Sequence, residues 1–322
     1  MTATQVLWIV FIALSVGVSA LDLFVITHRH SQVGVRSALG WTAVWVSLAL
    51  LYGVGIYWFH PQGHELAALY VTGYLTEYSL SVDNLFVFIL IFSMMGVHEA
   101  AQPKLIKLGI FLSIFLRILF ILFGIALVER FHALLYVFGA LLVWTAWKMV
   151  ATEEDEQVHP ENNLLYRIAT KLFPLHRDVP DSRRLTIRHE GRLHITPLFL
   201  VFLVIGSTDI LFALDSIPAI MGISQDPFVV ITSNVFAVLG LNSLFFAIRG
   251  IMGLFKFLKH GVGLILFFIG AKMIAGIYTP IEHWFKAHTY VSLLVIGAVL
   301  ACSILLSIWH RRQFPENDPS SS

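Results

Sequence analysis

Apolar segments of about 20 residues recur along this chain, and each is long enough to cross the hydrocarbon core of a bilayer as a helix. Only 13% of the 322 residues are charged and 57% are hydrophobic, whereas soluble domains keep roughly a quarter of their residues charged. The sequence therefore predicts an all-α, polytopic membrane protein. Nine segments fit transmembrane helices: Val6–Ile26, Ala38–Phe59, Ala67–Met95, Leu105–Val128, Ala133–Val150, Thr196–Met221, Phe228–Leu254, Val262–Tyr278 and Val291–His310.

The connections between these segments alternate in charge. Nearly all extramembrane Lys and Arg follow the first, third, fifth, seventh and ninth segments, as Lys104 and Lys107 do, whereas the opposite side holds only Arg130 and Lys286. Because Lys and Arg accumulate on the cytoplasmic side of a membrane, we expect the N-terminus outside and the C-terminus in the cytoplasm. The net charge of +1 gives no indication that the protein binds nucleic acid.

Two segments on either side of a long hydrophilic stretch resemble each other. Each of the strings "GYLTEYSLSVDNLFVF" and "GSTDILFALDSIPAI" places two carboxylates six residues apart, Glu77 and Asp83 in the first and Asp209 and Asp215 in the second. The loop charges make the third and sixth segments cross in opposite directions, so the copies are predicted to be inverted. Inverted repeats are common in secondary transporters, where the substrate site lies at the repeat interface.

The repeat extends beyond the acids, since "LLVWTAWKM" and "LILFFIGAKM" align Lys148 with Lys272. The stretch between the copies begins acidic and ends basic, and we interpret it as a cytoplasmic linker with a short amphipathic helix near Leu164–Leu172. The predicted organisation is two N-terminal helices (1–66), repeat one with helices three to five (67–150), the linker (151–193), repeat two with helices six to eight (194–280), and helix nine with a cytoplasmic tail (281–322).

Acidic side chains at membrane depth are costly, at roughly 2.5–3.5 kcal/mol each on insertion scales. The four repeated acids and Asp22 in the first segment therefore indicate a polar cavity or a cation pathway. Positions six apart on a helix differ by about 120° around its axis, so the two acids of a pair share a site only if it is wide or the helix unwinds. Pro218, three residues after Asp215, predicts a kink that frees a backbone oxygen there.

The polar residues that follow the second acid of each pair, Asn84 and Ser216, add oxygen ligands. Carboxylate, amide and hydroxyl oxygens suit hard divalent cations such as Mg²⁺, Ca²⁺ or Mn²⁺. The alternative is structural, because Arg117, Lys148 and Lys272 lie in or near the membrane and each would neutralise an acid. In a transporter the same bases would pair with the acids or act in gating, with Arg117 and Lys148 holding the acids in place or displacing the cation as the protein switches. The three bases are fewer than the five acids, which favours a cation site. A proton relay through the same acids stays open.

The strings "EYSLSVDN" and "TDILFALDSIPAI" resemble the signature segments of the TerC family, especially its Alx-like members. The similarity continues through "DLFV" at Asp22, "DPFVVITSNVFAVLGL" and "KMIA" at Lys272. It implies an inner-membrane protein of the LysE-type transporter superfamily that exports manganese, with further links to tellurium resistance, alkaline stress and supply of metal to secreted enzymes. The acids that match the family's intramembrane acids are Asp22, Glu77, Asp83, Asp209 and Asp215.

Two positions depart from the family pattern. Many members carry a glutamate where this chain has Gly206, and an arginine where it has Asn242; the joint loss of one acid and one base indicates that these side chains pair where both exist. We expect Mn²⁺ as a substrate, with Asp83, Asp209 and Asp215 as first ligands, and neither a resident cofactor nor an enzymatic activity. The alternative is a membrane assembly or metalation factor that works with the secretion machinery, and a homo-oligomer is a further possibility.

Overall fold

The computed structural model describes residues 2–28, 35–151, 163–176, 184–189, 192–249 and 257–313. Within these ranges the chain forms helices and one short antiparallel hairpin. In chain order the elements are α1 (Ala3–His28), α2 (Val35–Phe59), α3 (Gly63–Met94), α4 (Gln102–Arg130), α5 (Leu134–Ala151), α6 (Leu164–Leu172), β1 (Thr186–His189), β2 (Arg192–Ile195), α7 (Pro197–Ile223), α8 (Pro227–Leu239), α9 (Leu241–Arg249), α10 (Leu258–Ala275), α11 (Thr279–Ala287) and α12 (Thr289–Gln313).

Six of the helices in these ranges are long and apolar enough to cross a membrane, namely α2, α3, α4, α5, α7 and α12. Helices α8 and α9 together form a seventh candidate span, which is bent by 42°. Shorter apolar stretches lie in α1 and α10, at Ala3–Gly17 and His260–Ala275. The all-α, polytopic membrane fold is therefore confirmed, while the total of nine spans stays a prediction.

Several local features confirm, correct or extend the sequence-based expectation. The predicted continuous helix Phe228–Leu254 is interrupted at Gly240 between α8 and α9, and its last residues, 250–254, lie outside the described residues. The kink expected at Pro218 does not end α7, which is one helix from Pro197 to Ile223. The helix predicted at Leu164–Leu172 is confirmed as α6, whereas the hairpin and the short helix α11 gave no recognisable sequence signal.

The described part of the linker is attached to the start of α7. Asn163 caps α6 by accepting hydrogen bonds from the backbone of its first turn, and it also donates to Ser207 in α7. At the other end of α6, the backbone N–H of Ile195 donates to the Pro174 carbonyl at 3.1 Å. Ala169 and Ile195 are buried in one small apolar cluster with residues of α7. Helix α6 therefore runs antiparallel to the first turns of α7.

Helices α5 and α10 approach each other at glycines. A Cβ added at Gly270 would lie 2.7 Å from the Gly139 carbonyl oxygen, and one at Gly263 would lie 3.6 Å from that of Ala146. The contacting residue numbers rise along α5, from 139 to 146, while they fall along α10, from 270 to 263. These two helices are therefore antiparallel. The packing of α3 on α8 is matched by that of α4 on α7. This reciprocal packing is what inverted copies would make, and it supports the repeat, which stays a prediction.

Candidate functional site

Glu77 lies in the middle of α3 and its side chain is 1% exposed. Its carboxylate forms an ion pair with Arg117 of α4. Ser81, one turn further along α3, donates to Oε1 at 3.0 Å, and Asn234 of α8 donates through Nδ2 to Oε2 at 2.9 Å. Both carboxylate oxygens are thus occupied by donors from three helices, which offsets the cost of burying the charge.

Arg117 is the centre of this cluster, and it is also 1% exposed. Its Nε donates to Ser113 Oγ at 3.0 Å, one turn earlier on α4. Its Nη1, besides pairing with Glu77, lies 3.4 Å from Ser216 Oγ of α7 and 3.5 Å from Asn234 Oδ1. Its Nη2 is buried without a hydrogen-bond acceptor. One guanidinium therefore joins α3, α4, α7 and α8 and retains one unused donor group.

Asp209 supplies a second carboxylate from α7 and is 5% exposed. It interacts with Ser113, and it lies within the electrostatic influence of both Arg117 and Glu77. The Ser113 hydroxyl, which accepts from Arg117 Nε, therefore lies between Arg117 and Asp209. One base faces two acids, one from each predicted repeat, so this cluster carries a net charge of −1 when both acids are ionised.

The structure places the other predicted ligands as follows. Ser216 is 2% exposed and contacts Arg117. Asn84 is 8% exposed and lies two helical turns beyond Glu77, on the same face of α3. Asp22, Asp83 and Asp215 belong to α1, α3 and α7, but their side chains lie outside what the structure describes.

The two predicted lysines lie apart from Glu77. Lys272 on α10 donates to Ser292 Oγ of α12 at 3.3 Å, and its Nζ lies 5.5 Å from the ring centroid of Phe285. Lys148 is an exposed residue in the last turn of α5. Arg117, the third base singled out in the sequence, is paired with Glu77.

Sequence reasoning missed three members of the cluster, Ser81, Ser113 and Asn234. Two of them had a usable signal: Ser113 is one turn before Arg117 and Ser81 is one turn after Glu77, so each shares a helix face with its partner. Asn234 lies 157 residues from Glu77. The only sequence signal for Asn234 was its amide side chain within an apolar segment, where an unpaired polar group is costly.

The cluster combines two carboxylates, an amide and several hydroxyls, all of which offer oxygen. Among the residues that the structure describes, no group of three or more His, Cys, Asp or Glu side chains forms a ready metal-ligand set. In the observed arrangement Arg117 occupies the place beside Glu77 that a metal cation would need. The site thus combines oxygen ligands from two acids with an internal cation.

The fold and this cluster define a polytopic membrane protein with a buried, oxygen-rich charge site where four helices meet. Residues 62–314 match the model of the "Integral membrane protein TerC family", and the chain belongs to that family. It is 41% identical over 312 residues to an uncharacterized membrane protein of Myxococcus xanthus, covering 97% of this chain and 95% of the relative. No solved structure matches the chain.

Two further relatives carry the name "Putative membrane-bound redox modulator Alx". The protein of Salmonella typhi is 35% identical over 317 residues, covering 96% of each chain. The protein of Escherichia coli K12 is 35% identical over 313 residues, covering 95% of each chain. The resemblance to Alx-like members that the sequence motifs indicated is therefore confirmed.

Proposed function

We propose that this protein exports Mn²⁺ from the cytoplasm across the bacterial inner membrane, with its N-terminus outside and its C-terminus in the cytoplasm. The observation that carries the proposal is the buried cluster in which Arg117 pairs with Glu77 and also acts electrostatically on Asp209, the two acids coming from different predicted repeats. A transporter of inverted repeats places its substrate site at such an interface and exposes it alternately to the two sides.

The chemistry of the cluster favours a hard divalent cation. Ionisable residues at membrane depth are retained mainly for function, because each costs several kcal/mol to bury. The groups near Arg117 offer oxygen alone, which suits Mn²⁺, Mg²⁺ or Ca²⁺ better than zinc or copper. Manganese is chosen within this set on the resemblance to the TerC family. Asp83, Asp215, Asn84 and Ser216 would complete the ligand set beside Glu77, Asp209 would balance the charge of Arg117, and Asp22 would add a further charge along the pathway.

The names of the Alx relatives indicate a redox role for those proteins, and one feature of this chain bears on it. The sequence contains a single cysteine, Cys302, which is exposed on α12. One thiol cannot form an intrachain disulfide, so dithiol exchange within one chain is excluded. Metal transport uses groups that this chain buries together, and it is the function the site supports best.

The test is to replace Asp209 with Asn, which keeps the size of the side chain and removes the charge. Cells that produce Asp209→Asn should accumulate manganese and tolerate less added Mn²⁺ than cells with the natural protein. Glu65→Gln is the matched control, since Glu65 is an exposed acid in the first turn of α3. Unchanged manganese content and tolerance with Asp209→Asn, at normal protein levels, would refute the exporter and favour the assembly or metalation role.

A further inference from the structure

A carrier of divalent cations has to return without its cargo, and the cluster around Arg117 bears on how it does so. An empty site of bare carboxylates is costly in a low-dielectric interior. Many carriers solve this with a second ion or with protons that neutralise the acids. In this structure the charge that neutralises Glu77 belongs to the protein itself, because Arg117 pairs with it.

The hydrogen bonds of the Glu77 carboxylate bear on how a metal ion would bind it. Its Oε1 accepts from Arg117 and Ser81, and its Oε2 accepts from Asn234. These three donors take three of roughly four acceptor positions on the carboxylate, so a cation at Glu77 would lie close to the Arg117 guanidinium. The guanidinium is the donor to displace, since two positive charges beside one carboxylate repel each other at short range.

The displaced guanidinium has a second acid within reach. Asp209 lies under the electrostatic influence of Arg117, and the Ser113 hydroxyl interacts with both side chains. Arg117 Nη2 is buried and lacks an acceptor, so the guanidinium gains a hydrogen bond if it moves onto Asp209.

We propose that Arg117 is a tethered counter-cation, which occupies the substrate's place on Glu77 in the empty carrier and withdraws toward Asp209 when the metal ion binds. This proposal rests on the function proposed above. It makes the ion pair of Arg117 with Glu77 and the binding of metal to Glu77 mutually exclusive. It also lets the empty carrier reorient without a proton on Glu77, so net export requires an outward metal gradient large enough to exceed the inside-negative membrane potential, which opposes the exit of a cation.

The test compares two modes of flux in proteoliposomes loaded with radioactive Mn²⁺. Net efflux into metal-free buffer requires the empty carrier to return, whereas exchange against external unlabelled Mn²⁺ does not. In Arg117→Gln, the ratio of net efflux to exchange should fall about tenfold or more relative to the natural protein. The apparent affinity for Mn²⁺ should become about tenfold tighter, because the competing charge is gone. Arg117→Lys, which keeps the charge, should restore net efflux.

A purely structural role for Arg117 predicts that Arg117→Gln lowers net efflux and exchange together, and this result would overturn the proposal. A second measurement uses the natural protein and does not depend on whether a variant folds. Its net Mn²⁺ efflux should be unchanged when the pH gradient is collapsed at a fixed membrane potential. Efflux that stops without an inward proton gradient would overturn the tethered counter-cation and leave manganese export intact. Absence of both efflux and exchange would instead refute the proposed function.

Discussion

Replacing Glu77 with Gln removes one charge from the buried ion pair and keeps nearly the same volume. Both partners are 1% exposed, so water cannot take over the lost interaction with Arg117. Breaking a buried pair by neutralising one partner costs roughly 3–5 kcal/mol, mainly because the other charge stays behind. We therefore expect Glu77→Gln to lower the free energy of unfolding by about 3 kcal/mol or more.

The assay is unfolding in mixed micelles with increasing denaturing detergent, followed by tryptophan fluorescence. A double-mutant cycle with Arg117→Gln separates the pair from its surroundings, and the double variant should be more stable than the sum of the single effects predicts, by at least about 1.5 kcal/mol. The exposed Glu65→Gln should change stability by less than about 0.5 kcal/mol. A loss below about 1 kcal/mol in Glu77→Gln, or additive single effects, would refute the buried ion pair.

Three further substitutions test other parts of the fold by the same unfolding assay. Gly270→Ala should destabilise by about 1–3 kcal/mol, because its Cβ would meet the Gly139 carbonyl oxygen at 2.7 Å; Gly297→Ala, with nothing within 4 Å, is the control, and equal effects would contradict the close α5–α10 contact. Asn234→Ala should cost about 1–3 kcal/mol, since Glu77 Oε2 loses its amide donor; a neutral result would remove Asn234 from the cluster. Asn163→Ala should cost about 1 kcal/mol through loss of the α6 cap and should raise proteolysis of the linker in limited trypsin digestion; unchanged digestion would show that the cap does not hold α6 in place.

Much of the architecture could be predicted from the sequence because the bilayer imposes one length and one polarity on every span. The break at Gly240 could not be predicted in this way, because apolar residues continue on both sides of it. A hydropathy profile measures polarity and contains no information on the direction of a helix axis. Gly240 has ordinary right-handed helical angles. The two segments share neighbours but differ in the main one, which is α3 for α8 and α2 for α9.

The acids of the site could be predicted because a carboxylate in an apolar run is conspicuous, and their repetition marked Glu77 and Asp209 as equivalent. Their partners depended on tertiary contacts. Arg117 is 40 residues from Glu77, and three bases were available to pair with the acids. Only the packing of α3, α4, α7 and α8 selects Arg117 and brings in Asn234, which periodicity within one helix cannot show.

The most direct test of manganese export is flux through the purified protein in proteoliposomes that contain no other protein. Release of Mn²⁺ should exceed that of protein-free vesicles, should exceed the release of Mg²⁺ and Ca²⁺ loaded at the same concentration, and should be lost in Asp209→Asn. Correctly folded natural protein that releases Mn²⁺ no faster than protein-free vesicles, with or without a membrane potential, would contradict the proposal that this member of the TerC family is itself the exporter.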